Sequence, residues 1–147
     1  MVEIVATMVI MVVVAAYAIP RMMGSNDVAA KVTADRVLAA LHFAQTLAQR
    51  QGVATSAVIE TTPNNHLAVN QGGFPVSFPT QNYDGTTRDV YDALLHPTVT
   101  FVPVSAVIAY GADGIPSPVS SYSVTVKGND GMSFKIKAEP TGFAHFE

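Results

Sequence analysis

At 147 residues, with 49% hydrophobic but only 13% charged side chains, the chain has room for one domain plus a stem, and its charge content falls well short of the usual ~25%. It has no cysteine, which excludes disulfides and thiolate metal sites. The net charge of −3 divides unevenly: residues 1–52 hold Arg21, Lys31, Arg36 and Arg50 against Glu3, Asp27 and Asp35, a net of +1, and residues 53–147 hold four basic against eight acidic side chains, a net of −4. An acidic second part argues against a phosphate-binding surface, so no nucleic-acid partner is expected.

Residues 1–19 form a nearly unbroken run of Val, Ile, Met and Ala, interrupted by the polar Glu3 and Thr7 and by the aromatic Tyr17 and closed by Pro20 and Arg21. As a helix rising ~1.5 Å per residue the run is roughly 28 Å long, close to the ~30 Å hydrocarbon thickness of a bilayer, so it can span a membrane. Glu3 is the exception, because a carboxylate carried into lipid costs about 2.5–3.5 kcal/mol even on lenient insertion scales. Two readings stand. Either Glu3 sits at the helix start, reaching headgroups and favouring the positive end of the helix dipole, or its charge is neutralised by the cationic amino terminus of another chain when such stems bundle.

Pro20 removes a backbone donor and disfavours helix in the residue before it, so a kink or unwound segment is expected over 15–24, centred on Ala18, Ile19, Pro20 and Gly24. Helix resumes near Asp27, after the N-cap chemistry of Ser25 and Asn26. Over 28–51, Ala34, Val37, Leu38, Leu41, Ala44 and Ala48 recur at three- and four-residue spacing on one face. Lys31 and Asp35 stand four apart and give minor surface support. Gly52 is a plausible C-cap. The expected organisation is therefore an apolar helix over 1–23, an amphipathic helix over 24–52 and a β-sheet head over 53–147.

The head must supply a sheet to cover the helix stripe. Strands are expected at 54–59 and 66–69, separated by a Pro63-Asn64-Asn65 turn, and at 74–78 after Gly72 and Gly73. The stretch 79–97 is less regular: 89–95 is compatible with a short helical turn, whereas its polar flanks, Asp84-Gly85 and His96-Pro97, read as a loop excursion. Residues 99–104 and 106–110 are strand-like, followed by a turn at Ala112-Asp113-Gly114. The strongest hairpin signal comes last. Tyr122, Val124 and Val126 alternate with polar residues, as do Met132, Phe134, Ile136 and Ala138, and period two puts each set on one face. Gly128-Asn129-Asp130-Gly131 connects them with residues that tolerate positive φ. Val37, Leu38 and Leu41 are expected to receive Val124, Val126, Phe134 and Ile136.

The amino-terminal string Met1-Val2-Glu3, its apolar run and the Ala18-Ile19-Pro20-Arg21 ending resemble the stem of type IV pilins and type II secretion pseudopilins. Pro20 follows Glu3 by 17 positions, matching that family's spacing. The family's glycine-ended basic leader is absent, and about two residues usually found before Met1 are missing, so a processed chain numbered from inside the motif is expected. The helix ending Leu41-His42-Phe43-Ala44 with Ala48-Gln49-Arg50-Gln51-Gly52, the Tyr110-Gly111-Ala112-Asp113-Gly114 turn and the closing 136–142 strand resemble the GspH/FimT branch. Some members of that branch take up DNA through a basic tail after the glycine. Here the corresponding residues, Gly142-Phe143-Ala144-His145-Phe146-Glu147, contain no arginine, and that role does not carry over.

The resemblance implies an α+β pilin fold, a long kinked helix on a small antiparallel sheet, and no enzyme activity. It implies polymerisation with copies of itself and other pilins, helped by inner-membrane assembly machinery. Met1, Val2, Glu3 and Pro20 would be the assembly residues. The chain would cross the inner membrane once before joining an extracellular filament, expected as its main subunit; minor pilin or pseudopilin at a filament tip, DNA-uptake pilin and membrane-anchored binding module are the alternatives. Catalytic signals are absent from the residues themselves. His42, His66, His96 and His145 are scattered singly with no ligand-pair spacing. The Asp-Gly pairs at 84, 113 and 130 lack the spaced oxygens of a calcium loop. No nucleophile elbow, Ser-x-x-Lys or phosphate loop occurs, and no cofactor is expected.

Overall fold

The computed structural model describes residues 25–61, 65–78, 82, 92–129 and 131–147. Met1, Val2, Glu3, Ala18, Ile19, Pro20 and Gly24, and with them the expected kink, lie outside the described residues. The first described element is the helix α1 (Ser25–Gln51). Its sequence contains neither Gly nor Pro and is rich in alanine, the strongest helix former. It ends at Gly52, whose φ of 63° closes the last turn while its N–H donates to Ala48 O at 2.8 Å, as an αL cap requires.

Among the described residues nine strands follow, in two antiparallel sheets. The first sheet contains β1 (Thr55–Glu60), β2 (His66–Gln71), β3 (Phe74–Pro75), β4 (Ala93–Leu94) and β6 (Ser105–Tyr110), in the order β3-β2-β1-β6 with β4 also pairing β2. The second contains β5 (Thr100–Val102), β7 (Tyr122–Lys127), β8 (Ser133–Ala138) and β9 (Ala144–Phe146), in the order β5-β7-β8-β9. Among the described strands the chain crosses between the sheets from β4 to β5, back from β5 to β6, where the Val102–Pro103 bond is cis, and again from β6 to β7.

Register follows the hydrophobic alternation. In the first sheet Ala57, Val69 and Ile108 share one row, and Ile59 joins Leu67 and Ala106 in the next. In the second, Val124 faces Ile136, and Val126 faces Phe134 and Phe101. A one-residue slip would turn every one of these apolar side chains to solvent. Both inner faces converge on α1, whose Ala30, Ala34, Val37, Leu41, Ala44 and Ala48 are buried in the same cluster as Tyr110, Phe101, Ile59 and Ile136. Val37, Leu41, Val124, Val126 and Ile136 are fully buried, and Leu38 and Phe134 are half-buried against them.

Several elements differ from their sequence expectations. Two sheets share the helix instead of one. The expected helical turn near 89–95 is replaced at its end by β4, where Ala93 pairs with Leu67 and Leu94 with His66; two residues offer no periodicity to read. The strand after Gly73 is only Phe74–Pro75, although Val76 N–H still donates to Val69 O at 2.8 Å beyond it. The closing strand ends at Ala138, and Gly142, with φ 93°, turns the chain back into β9. Met132 lies outside β8 and is exposed.

The packing predicts a contrast on one helix. Leu41 is 1% exposed and Val32 is 42% exposed, so Leu41→Ala is expected to cost about 2–5 kcal/mol in urea unfolding and Val32→Ala no more than ~0.5 kcal/mol.

Candidate assembly surface

The joint between helix and head is built from close backbone approaches. Gly114 (φ 75°) lies against the side chain of Gln49, and Gly142 (φ 93°) lies against Gly114 O and the Gln45 amide. A Cβ at either position would collide with those groups. The 111–114 turn and the β8–β9 turn are thereby seated together on the carboxyl-terminal half of α1. His42 adds a polar tie, its Nε2 standing 2.8 Å from Ala144 O. Its ring stacks on Phe143 at 5.8 Å and 28°, and Phe143 stacks on His145 at 5.8 Å and 20°.

The other half of α1 is tied down by Lys31. Its ammonium ion-pairs with Asp35 at 2.7 Å and stands 4.0 Å from the Phe146 ring centroid and 5.6 Å from that of Phe134. The four-residue spacing to Asp35 was readable in the sequence; the cation–π contact depends on β9 and was not. Asparagines hold the connections beside β2. Asn65 Nδ2 donates to His96 O at 2.9 Å and to Val99 O at 2.6 Å. Asn82 Oδ1 accepts from Leu94 N–H at 3.1 Å, while Asn82 O accepts from Arg36 at 3.4 Å. Desolvation lowers the pKa of that guanidinium.

The outward face of the second sheet is charged and internally neutralised. Lys137 lies 2.9 Å from Glu139 and Lys135 lies 2.5 Å from Glu147. The hydrogen bond and charge of Glu139 raise the Lys137 pKa, and those of Lys135 lower that of Glu147. These exposed pairs define a mixed-sign surface and add little stability. Among the described residues no three His, Asp or Glu side chains are grouped to hold a metal ion, and no helix is long and apolar enough to cross a membrane.

Apolar side chains nevertheless reach solvent in informative places. Val28 and Val32 are exposed on the first turns of α1, the end that the sequence joins to the apolar run of residues 1–19. At the opposite end an open cleft of about 380 Å³ is bounded by Ser56, Asn70, Gly72, Gly73, Ala109 and Ser117. Nearby, Tyr110 is wholly buried, and its hydroxyl and the amide nitrogen of Gln71 have no hydrogen-bond partner among the described residues.

Two predictions follow from the joint. Gly142→Ala is expected to destabilise the fold by more than Gly131→Ala, because both have strongly positive φ but only Gly142 also meets neighbouring atoms; urea midpoints of the two variants compare the contact with the strain alone. Burial pushes the Tyr110 pKa up from 10.0 to about 12. The folded state thus favours the neutral phenol, and this contribution is intact below pH 10 and declines as pH rises from 10 towards 12. Tyr110→Phe is expected to flatten that alkaline loss in a pH series of thermal unfolding.

No protein-family model matches the sequence and no curated protein matches it. Solved structures do. Two crystal structures of the type IV minor pilin FimU of Pseudomonas aeruginosa, strain PAO1, in space groups P21 and P65, superpose with TM-scores of 0.56 and 0.57 at 14% identity. Each covers 80% of this chain, and the matched part amounts to 87% and 91% of the respective pilin chain. The described residues, a helix packed on antiparallel sheets, share over that length the fold of this type IV minor pilin.

Proposed function

We propose that this chain is a structural, non-enzymatic subunit of a type IV pilus-like extracellular filament. The observation that carries the reading is the pilin fold of the head, set on a helix whose exposed Val28 and Val32 lead, in sequence, to the apolar run of residues 1–19. In this account the run holds the subunit in the inner membrane before assembly and then packs with the runs of other subunits in the filament core, heads outward. The partners are copies of this chain, other pilins and the inner-membrane assembly machinery.

Because the run leaves lipid and not water, apolar burial alone supplies little net drive; close packing and polar contacts must set the register. Glu3 is the charged side chain within the run, and a cationic amino terminus on a neighbouring subunit is its natural complement. Pro20 would relax the helix between the run and the head. The likeness to a minor pilin supports a second reading, in which the chain is a minor subunit at a filament tip. The net charge of −4 over residues 53–147 argues against DNA capture in either role.

Glu3→Ala tests the proposal. Surface filaments, or incorporation of this chain into them, are expected to be lost while membrane insertion persists; unchanged filament incorporation would leave the stem as a simple anchor and overturn the assembly role.

A further inference from the structure

The edges of the two sheets are treated unequally. β3, β4, β5 and β9 are two or three residues long, β3 contains Pro75, and Pro103 directly follows β5. Such short, proline-marked edges discourage pairing with another chain. β6 is different: it is an edge strand of six residues, Ser-Ala-Val-Ile-Ala-Tyr, paired with β1 in unbroken register from Ser105 to Tyr110. It contains no charge, proline or bulge.

Hydrogen bonds show which of its backbone groups face outward. Ser117 N–H donates to Ala109 O at 2.9 Å, and Gly111 N–H donates to Ile115 O at 2.8 Å. These bonds lie on the side away from β1, forming the bridge between Tyr110 and Pro116. Strand alternation then points the N–H and C=O of Ser105 and Val107 the same way. Among the described residues the segment around Ser117 covers the edge at Ala109, and no other backbone bond reaches β6 from that side. Beside the open stretch, Val107 is 56% exposed and Val104 63% exposed.

We propose that the open edge of β6 docks the same edge of a second copy of this chain, antiparallel, about a two-fold axis at Ala106. What identifies the occupant is self-complementarity within a limited span. With Ala106 opposite its own copy, Ser105 of each copy lies opposite Val107 of the other. Each such pair exchanges N–H···O bonds in both directions. A register centred on Val107 would require Ala109, which Ser117 already occupies. One centred on Ser105 would require an N–H from Pro103, which has none. In the allowed register Glu60, beside Ser105 on β1, lies in the row of Val107 and Val58 of the second copy, so like charges do not oppose.

The geometry also sets where this contact can occur. A two-fold axis normal to a sheet reverses every direction in its plane, including that of a helix lying on it. The two copies therefore carry their α1 helices in opposite directions. This contact cannot join neighbours within one filament whose stems all point one way; it joins heads from separate filaments or membranes, and it stands or falls independently of the filament reading.

Because the chain has no cysteine, a single introduced thiol reports the contact. Facing Cα atoms in a non-hydrogen-bonded antiparallel pair lie about 4.5 Å apart, within the ~4.4–6.8 Å span of disulfides. The purified full-length chain in detergent micelles, oxidised as Ala106→Cys, is expected to run chiefly as a covalent dimer on non-reducing gels. Met132→Cys, 54% exposed but away from β6, is expected to stay monomeric. Adding Val107→Pro to Ala106→Cys removes an outward N–H without touching the β1 ladder, and the dimer is expected to be lost while thermal unfolding stays cooperative. Absence of the Ala106→Cys dimer, or equal crosslinking at positions 106 and 132 as stem-driven crowding would give, overturns the proposal.

Discussion

The structure depends on how closely α1 approaches two sheets at once. Along its buried stripe the helix presents mainly alanine, with Val37 and Leu41 the larger members. Small side chains let the backbone sit near the strands, and the bulk that fills the interface comes from the sheets: Tyr110, Phe101, Ile59, Ile108 and Ile136. Burial of such residues, worth about 1.5–3 kcal/mol each, is available to either sheet only through the shared helix. Each sheet is thin, with several strands of two or three residues. Without α1 the inner face of each would be open to water.

Polar groups are used sparingly and at joints. Asn65 and Asn82 bind the backbone of the connections beside β2, where strands are too short to bind themselves. Lys31 and His42 fasten opposite halves of α1 to β9 and its turn. The glycines at 114 and 142 permit the closest turn-to-helix contacts. Such an arrangement holds both sheets rigidly to one helix. The paired charges on the second sheet leave that surface mixed in sign, which does not favour recognition of an anion.

Much of the architecture could be read from side-chain periodicity. The stripe from Ala34 to Ala48 and the alternation through Val124, Val126, Phe134 and Ile136 each extend over enough residues for one period to dominate. Their burial and mutual register in the structure follow that pattern. Elements without a period were missed. β4 and β9 have two and three residues, and nothing in a local window separates them from loop. The division into two sheets was also hidden, because it arises from which strands pair across the β4–β5, β5–β6 and β6–β7 connections and not within any one strand. Asn65 and Asn82 carry no sequence signal for their carbonyl and amide partners, which lie far along the chain. The residues expected to take part in assembly, Glu3 and Pro20 among them, lie outside the described residues and rest on sequence spacing and resemblance alone.

The central claim is that the apolar run and the pilin head act together as a filament subunit. Filaments sheared from the surface of cells expressing the chain, purified and examined by electron cryomicroscopy with peptide identification by mass spectrometry, test it most directly. The account predicts peptides of this chain in a helical filament, with density for residues 1–19 in the core and the two-sheet head outside. Filaments that lack the chain altogether, with all of it retained in the inner-membrane fraction, would contradict it.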